Sequence, residues 1–198
     1  PPISLTDIHL IIPFRNEENR INGLIQSLNN SEFLPNQITF IDDHSTDKTC
    51  EVIKSNLKTR DFQILSLPQT EKGKKAAIRF GIDSNKDLPY ILTFDADINF
   101  GQDYFKNIET LQSSDLLILP VVMTGKSIFQ SLFAFDYNLL SLINRISTGW
   151  FRPILASGAN LLFKKNPFLE IDSFENHKNI SSGDDMFLLK DFIENKKN

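Results

Sequence analysis

This sequence has no long apolar run, a single cysteine and no excess of basic over acidic residues, and each of these features excludes or disfavours a class of function. No uninterrupted apolar stretch is long enough to span a bilayer. The only cysteine, Cys50, cannot form an internal disulfide, which fits a reducing compartment such as the cytoplasm. A net charge of −4 and a pI of about 5.4 argue against nucleic acid as a partner.

Two glycine motifs are missing as well. No Gly-x-Gly-x-x-Gly follows the first apolar run, and no Gly-x-x-x-x-Gly-Lys-Ser/Thr occurs in the 198 residues. In dinucleotide-binding enzymes and P-loop ATPases these glycines let backbone N–H groups approach phosphates. Both classes are therefore disfavoured.

Strand-like and helix-like patterns alternate through the first two thirds of the chain. The predicted strands are His9–Pro13, Gln37–Asp42, Phe62–Leu67, Ile91–Asp97 and Leu116–Val122. Asn16-Glu17-Glu18 is predicted to open the first helix. This alternation predicts one α/β domain with a mainly parallel central sheet and flanking helices.

Two carboxylates, Asp95 and Asp97, stand one residue apart where the fourth predicted strand ends. Like charges held this close stay ionised when a cation binds them or when water solvates them. A divalent metal site and a solvated turn are the two interpretations. Because Pro13 and Asp42-Asp43 also stand at the carboxyl ends of predicted strands, we expect these strand ends to meet at one edge of the sheet, where α/β proteins bind ligands.

The last third has a different pattern. Residues 128–146 form a helix that is apolar over more than one stripe, which predicts either a helix packed inside the fold or contact with a membrane or a further segment. The stretch Leu155–Phe163 resembles a strand interrupted by Ser157–Asn160. Asp184 and Asp185 precede another apolar run, where an ordinary helix cap is the simpler interpretation.

Six motifs together resemble the inverting family-2 glycosyltransferases, which have the GT-A fold, a Rossmann-like nucleotide-sugar-binding architecture. In chain order they are Ile11–Glu18, Ile41–Asp47, Lys72–Ala77, Asp95–Asp97, Ser157–Asn160 and Gly183–Asp185. Each motif alone is weak, but their order and spacing across nearly the whole chain match the family. The resemblance favours the metal interpretation of the Asp95 and Asp97 pair.

The resemblance also implies a role for each matched residue. The donor-binding residues would be Pro13, Glu17, Asp42, Asp43, Lys74 and Asp95, with Asp42 supporting a turn. Asp97, together with Asp95, would bind Mg²⁺ or Mn²⁺. The acceptor side would be lined by Gly158, Ala159 and Asn160. Asp185 would be the general base, and Asp184 would hold the acceptor or the base.

The implied activity is metal-dependent transfer of a sugar, with inversion, from a nucleotide diphosphate sugar to an acceptor hydroxyl. A UDP-sugar donor and a glycan or lipid-linked acceptor are expected, in polysaccharide, glycolipid or cell-envelope synthesis. Residues 1–123 would bind the donor and residues 124–198 the acceptor. We expect the chain to be one domain of a longer protein that associates with the inner face of the cell membrane.

Two residues depart from the family pattern, and, separately, two alternative functions remain open. His44 replaces a frequent glycine, and Arg79 replaces a frequent asparagine. The rival enzyme is a sugar-nucleotidyltransferase, although Pro13–Asn16 lacks the glycine-rich loop typical of that class. The rival of another class is an inactive nucleotide-sugar-binding module.

Overall fold

The computed structural model describes residues 1–58, 61–84, 88–124, 131–132, 134–139, 142 and 159–171. Within them the strands are Ile8–Phe14 (β1), Gln37–Asp42 (β2), Phe62–Ser66 (β3), Tyr90–Phe94 (β4), Leu116–Ile118 (β5) and Asn160–Lys164 (β6). The α-helices with defined bounds are Asn22–Asn30 (α1), Thr49–Asn56 (α2), Lys74–Ser84 (α3), Tyr104–Ile108 (α4) and Lys165–Ile171 (α5). A 3₁₀ helix spans Leu5–Asp7, and described residues between 131 and 142 are also helical.

The strands form one sheet in the order β3-β2-β1-β4-β6-β5. β1 pairs in parallel with β2 and β4, and β2 with β3, whereas β6 runs antiparallel between β4 and β5. The predicted α/β fold with a mainly parallel sheet is confirmed. Strand order reverses between β1 and β4, so the carboxyl ends of these two strands form the expected binding crevice.

Apolar side chains pack on both faces of the sheet. On one face α1, α2 and α4 contribute buried residues such as Leu24, Ile53 and Phe105. On the other, α3 and α5 contribute Ile82 and Phe168. These two layers fix β1 and β4, whose ends carry the candidate site.

Several predicted boundaries are wrong. The first helix begins at Asn22 rather than at residues 16–18, and β5 ends at Ile118 rather than Val122. The predicted stretch 155–163 becomes a strand only at Asn160 within the described residues. Among the helical residues after 130, the apolar side chains of Leu132, Phe135, Leu139 and Leu142 are exposed, so this stripe does not pack inside the described fold.

Candidate functional site

An open cleft with a volume of about 260 Å³ lies at the carboxyl ends of β1 and β4. It is lined by Pro13, Phe14, Arg15, Glu17, Asp43, Lys74, Asp95, Ala96 and Asp97. Every predicted donor or metal residue except Asp42 is in this set. The cleft therefore brings together four carboxylates, a lysine and an arginine from four separate segments of the chain.

The loops after β1 and β2 are tied to each other by side chains. Asn16 has a left-handed backbone with φ of 54°, and its Oδ1 accepts the N–H of Thr46 at 2.8 Å. The N–H of Glu18 donates to Asp47 Oδ2 at 3.1 Å, and the N–H of Lys48 donates to Glu18 Oε2 at 2.9 Å. These nonlocal bonds hold residues 16–18 in a loop and explain why the helix starts later.

Asp42 and His44 stabilise the turn after β2 without lining the cleft. Asp42 Oδ1 accepts the N–H of Ser45 at 2.9 Å. His44 has a φ of 59°, and its Nε2–H donates to the carbonyl of Glu71 at 2.9 Å. Cys50 Sγ lies 3.6 Å from Asp42 Oδ2, and burial, with the nearby Asp42 charge, raises the pKa of this thiol.

Asp43 is a buried carboxylate that is only partly satisfied. Its Oδ2 accepts the N–H of Gly73 at 2.9 Å, and Gly73 has a φ of 92° that favours glycine. Arg15 Nη1 lies 3.9 Å from the same oxygen. Asp43 Oδ1 is buried and accepts no hydrogen bond from the described residues.

Glu17 is likewise a carboxylate with only one of its two oxygens hydrogen-bonded. Its Oε1 accepts a hydrogen bond from Arg20 Nη2 at 2.6 Å, whereas its buried Oε2 has no partner among the described residues. Burial raises the pKa of Glu17, and the Asp97 charge adds to this, although Arg20 acts in the opposite direction. Arg20 Nη1 also lies 3.8 Å from Asp97 Oδ2.

Asp95 and Asp97 differ in their partners. Lys74 Nζ forms a direct ion pair with Asp95 Oδ1. Asp97 has a side chain that is 49% exposed, with Arg20 as its only ion-pair partner in the described part of the chain. Among the described residues no group of three or more His, Cys, Asp or Glu side chains is arranged to hold a metal by itself.

The predicted acceptor residues are only partly described. The N–H of Asp95 donates to the carbonyl of Ala159 at 3.3 Å, which places the start of β6 beside the cleft. The Asn160 side chain is buried, and its Oδ1 accepts the hydroxyl of Tyr104 at 2.6 Å. Burial raises the pKa of that hydroxyl. Gly158, Asp184 and Asp185 lie outside the described residues.

Phe14, Arg15 and Arg20 contribute to the site although no sequence motif predicted a role for them. Arg15 and Phe14 directly follow Pro13 in the matched motif, so their position was the available signal. Arg20 stands three residues after Glu17, the spacing at which side chains in a helical turn meet. Arg79, a departure from the family pattern, pairs with Asp83 at 3.2 Å and does not line the cleft.

Two curated proteins are similar to this chain. One is the dolichyl N-acetyl-alpha-D-glucosaminyl phosphate 3-beta-D-2,3-diacetamido-2,3-dideoxy-beta-D-glucuronosyltransferase of Methanococcus voltae, 35% identical over 53% of this chain and 34% of that protein. The other is the poly-beta-1,6-N-acetyl-D-glucosamine synthase of Staphylococcus epidermidis, 25% identical over 83% of this chain and 41% of that protein. The chain thus spans well under half the length of these relatives.

Solved structures share the fold. TarS of S. aureus in complex with UDP-GlcNAc has a TM-score of 0.64 at 15% identity, over 93% of this chain and 52% of that one. A mannosyltransferase of Pyrobaculum calidifontis in complex with GDP-Man and Mn²⁺ has a TM-score of 0.60 at 17% identity, over 86% of this chain and 48% of that one. The family described as Glycosyl transferase family 2 matches residues 9–122, more than half of the sequence. The chain therefore belongs to glycosyl transferase family 2, and it has the GT-A fold.

Proposed function

We propose that this chain is the catalytic domain of a metal-dependent, inverting glycosyltransferase that uses a nucleotide diphosphate sugar, specifically a UDP-sugar. The observation that carries the proposal is a pair of buried carboxylate oxygens in one cleft, Glu17 Oε2 and Asp43 Oδ1, that accept no hydrogen bond from the described residues. His44 Nε2 lies 3.9 Å from Asp43 Oδ1, which is too far for a hydrogen bond. Leaving a buried acceptor unpaired costs about 1–3 kcal/mol. The N–H groups of a base and the hydroxyls of a ribose would satisfy both oxygens.

Asp97 and Asp95 would hold Mg²⁺ or Mn²⁺, and the donor atoms fit such an ion. Both side chains offer carboxylate oxygens, which these hard cations prefer. A site with two carboxylates suits a cation that takes its remaining ligands from the diphosphate of the substrate. When bound, the cation would act as a Lewis acid that stabilises negative charge on the departing nucleoside diphosphate. The Mn²⁺ complex of the Pyrobaculum calidifontis mannosyltransferase supports this choice of metal.

Lys74 would assist binding of the donor diphosphate by placing a positive charge beside Asp95. Its ammonium group already pairs with Asp95, so a bound diphosphate would share this charge with the carboxylate. The loop bonds of Asn16 and Glu18 would keep Glu17 and Asp43 in register for the nucleoside. These groups bind and orient the donor; they do not move a proton.

Asp185 would take the proton from the acceptor hydroxyl, with Asp184 holding the acceptor or the base. This assignment rests on the family resemblance of Gly183-Asp184-Asp185, which lies outside the described residues. Attack on the anomeric carbon from the side opposite the leaving diphosphate is a single displacement and inverts that carbon. Ala159, whose carbonyl is bonded to Asp95, would lie on the acceptor side together with Gly158 and Asn160.

We further propose that the full-length protein works at the cytoplasmic face of a membrane, on a glycan or lipid-linked acceptor. Support comes from Leu132, Phe135, Leu139 and Leu142, which are exposed at spacings of three, four and three residues along helical positions. The dolichyl phosphate and polysaccharide named for the two relatives agree with it. No helix in the described ranges has the length and apolar character to cross a bilayer. Recovery of the full-length protein in the soluble fraction at low salt would contradict the proposal.

A panel of UDP, GDP and TDP sugars, each with and without Mn²⁺, tests the donor assignment by thermal shift. A ligand that binds only the native state raises its stability by mass action, so UDP-sugars with Mn²⁺ should give the largest shift. Turnover separates the alternatives. A sugar-nucleotidyltransferase would consume a nucleoside triphosphate and release pyrophosphate, whereas an inactive module would bind the donor without transferring its sugar to an acceptor and without releasing UDP.

A further inference from the structure

A second groove, with a volume of about 510 Å³, involves the segment that follows Asp97 but shares no residue with the cleft. Helix α1 and the segment before α4 form its walls. Its lining residues are all uncharged: Gly23, Gln26, Ser27, Asn30, Asn99, Phe100, Gly101 and Gln102. We call this set the amide groove.

Four side-chain amides converge on this groove from its two walls. Gln26 and Asn30 come from α1, and Asn99 and Gln102 come from the opposite segment. All four residues are exposed, and none of their side chains hydrogen-bonds to another described residue. Each amide has two N–H donors and one carbonyl acceptor, so the groove offers many unused hydrogen-bonding groups.

The base of the amide groove is held in place by bonds that leave those amides free. The N–H of Phe100 donates to the buried Ser27 Oγ at 2.9 Å, which joins the two walls. The Phe100 ring packs against Tyr104 and Phe105 with centroid distances of 5.0 and 5.2 Å. Gly23 borders both walls, since a Cβ there would be in ordinary van der Waals contact with Asn99 Cβ at 3.6 Å.

We propose that the amide groove binds a neutral oligosaccharide. Sugar hydroxyls both donate and accept hydrogen bonds, as amides do, and the partly exposed Phe100 ring offers apolar contact to a C–H face of a sugar. A lining without charge is unsuited to a phosphate, a nucleotide or a sulfated chain. The volume falls within the range of about 300–1,000 Å³ that is usual for ligand sites.

The amide groove is separate from the donor cleft, but a short segment of the chain connects the two sites. Asn99 is two residues from Asp97, and the N–H of Ile98 donates to the carbonyl of Asp95 at 3.4 Å. If the proposed glycosyltransferase function is correct, the ligand of the groove is a distal part of the acceptor glycan. Only this identification of the ligand rests on the proposed function. Binding of a neutral glycan to the groove does not depend on turnover.

Fluorescence polarisation of labelled tetrasaccharides tests the proposal with the full-length protein. The probes are a tetrasaccharide of N-acetylglucosamine, one of glucose and a sulfated one. At least one neutral probe should bind saturably, and the exposed double substitution Asn99→Ala/Gln102→Ala should weaken its binding about tenfold through lost hydrogen bonds. The control Asn107→Ala/Gln63→Ala removes one exposed amide of each type outside the groove and should bind as the wild type does.

Three results would overturn the proposal: no binding of either neutral probe, equal binding by the groove variant and the wild type, or preference for the sulfated probe. Calorimetry with a UDP-sugar, run on the same variants, reports on the donor cleft alone. It therefore separates failure of the amide groove from failure of the proposed function.

Discussion

Asp97 has the most exposed side chain of the four cleft carboxylates, at 49%, against 35% for Asp95, 15% for Glu17 and 10% for Asp43. Asp97→Asn removes its charge with little change in size. We expect loss of Mn²⁺-dependent donor binding but almost unchanged stability, because this group lies in water rather than in the core. Calorimetry with a UDP-sugar would measure it. Asp103→Asn, a nearby exposed carboxylate outside the cleft, is the control; equal Mn²⁺-dependent affinity in both variants would make Asp97 a turn residue.

Glu17 should give the stability of the protein a recognisable pH dependence. Burial raises its folded pKa above the ordinary value of 4.5, so the native state keeps a proton that the unfolded chain has released. Between 4.5 and the raised folded pKa, this residue's contribution to stability therefore falls as pH rises, and the loss persists above that window. Glu17→Gln abolishes this titration. Urea unfolding at several pH values in this window should show a smaller decline of the unfolding free energy with pH for Glu17→Gln than for the wild type. An identical dependence of the unfolding free energy on pH in both proteins would refute the effect.

Asp185 remains the predicted general base. Asp185→Asn should leave donor binding nearly intact and lower turnover by roughly 10²–10⁴-fold, the usual contribution of a positioned base. Steady-state rates of UDP release in the presence of an acceptor would show it. If turnover survived here but disappeared in Asp184→Asn, the roles of the two residues would be exchanged.

At the residue level, the ends of apolar runs marked Asp43, Asp95 and Asp97, and the family resemblance added Glu17 and Lys74. Neither signal predicted the partners of these side chains. The pairing of Lys74 with Asp95 joins residues 21 apart, and the Gly73 bond to Asp43 joins residues 30 apart. Contacts of this kind depend on how strands are ordered, which periodicity does not encode.

Between the elements, the paired loops after β1 and β2 are the part of the fold on which the site depends most. Asn16→Ala removes the bonds to the Thr46 loop and places alanine at a φ of 54°. We expect a loss of about 1–2 kcal/mol in the free energy of unfolding and weaker donor binding, because Glu17 and Asp43 lose their alignment. Urea denaturation and calorimetry measure the two effects.

Asn16→Gly separates the two causes, because glycine accepts a positive φ without strain but cannot make the side-chain bonds. A donor affinity in Asn16→Gly equal to that of the wild type would show that the loop bonds do not align the site. Loss in both variants would attribute the effect to these bonds.

The elements themselves were largely predictable, and their exceptions have physical reasons. Buried strands such as β1 form continuous apolar runs, because both faces of the sheet are covered. The predicted start of α1 was wrong because the backbone N–H groups of residues 16–18 donate hydrogen bonds to side chains of residues 45–49 instead of entering a helix. The position of β6 in the sheet was not predictable either. The spacing of apolar residues along a strand does not show which strands are its neighbours or whether it runs antiparallel to them.

For the whole molecule, the family match and the described structure support the predicted donor part of the chain much more than the predicted acceptor part. The family match covers residues 9–122, and the cleft lies entirely within that range. The predicted acceptor part, 124–198, contains most of the residues that the structure does not describe, including both members of the predicted catalytic pair. The division at about residue 123 therefore remains a prediction.

The most direct test of the proposed function is calorimetric titration of the full-length protein with UDP-GlcNAc in the presence and absence of Mn²⁺, for the wild type, Asp43→Asn and Asp61→Asn. We expect the wild type and the exposed control Asp61→Asn to bind one equivalent, with affinity raised by Mn²⁺. Asp43→Asn should bind at least tenfold more weakly, because the variant loses the charge of a buried carboxylate whose Oδ1 would accept a donor group from the nucleoside. Wild-type affinity in Asp43→Asn, or no Mn²⁺-dependent binding of any UDP-, GDP- or TDP-sugar by the wild type, would contradict it.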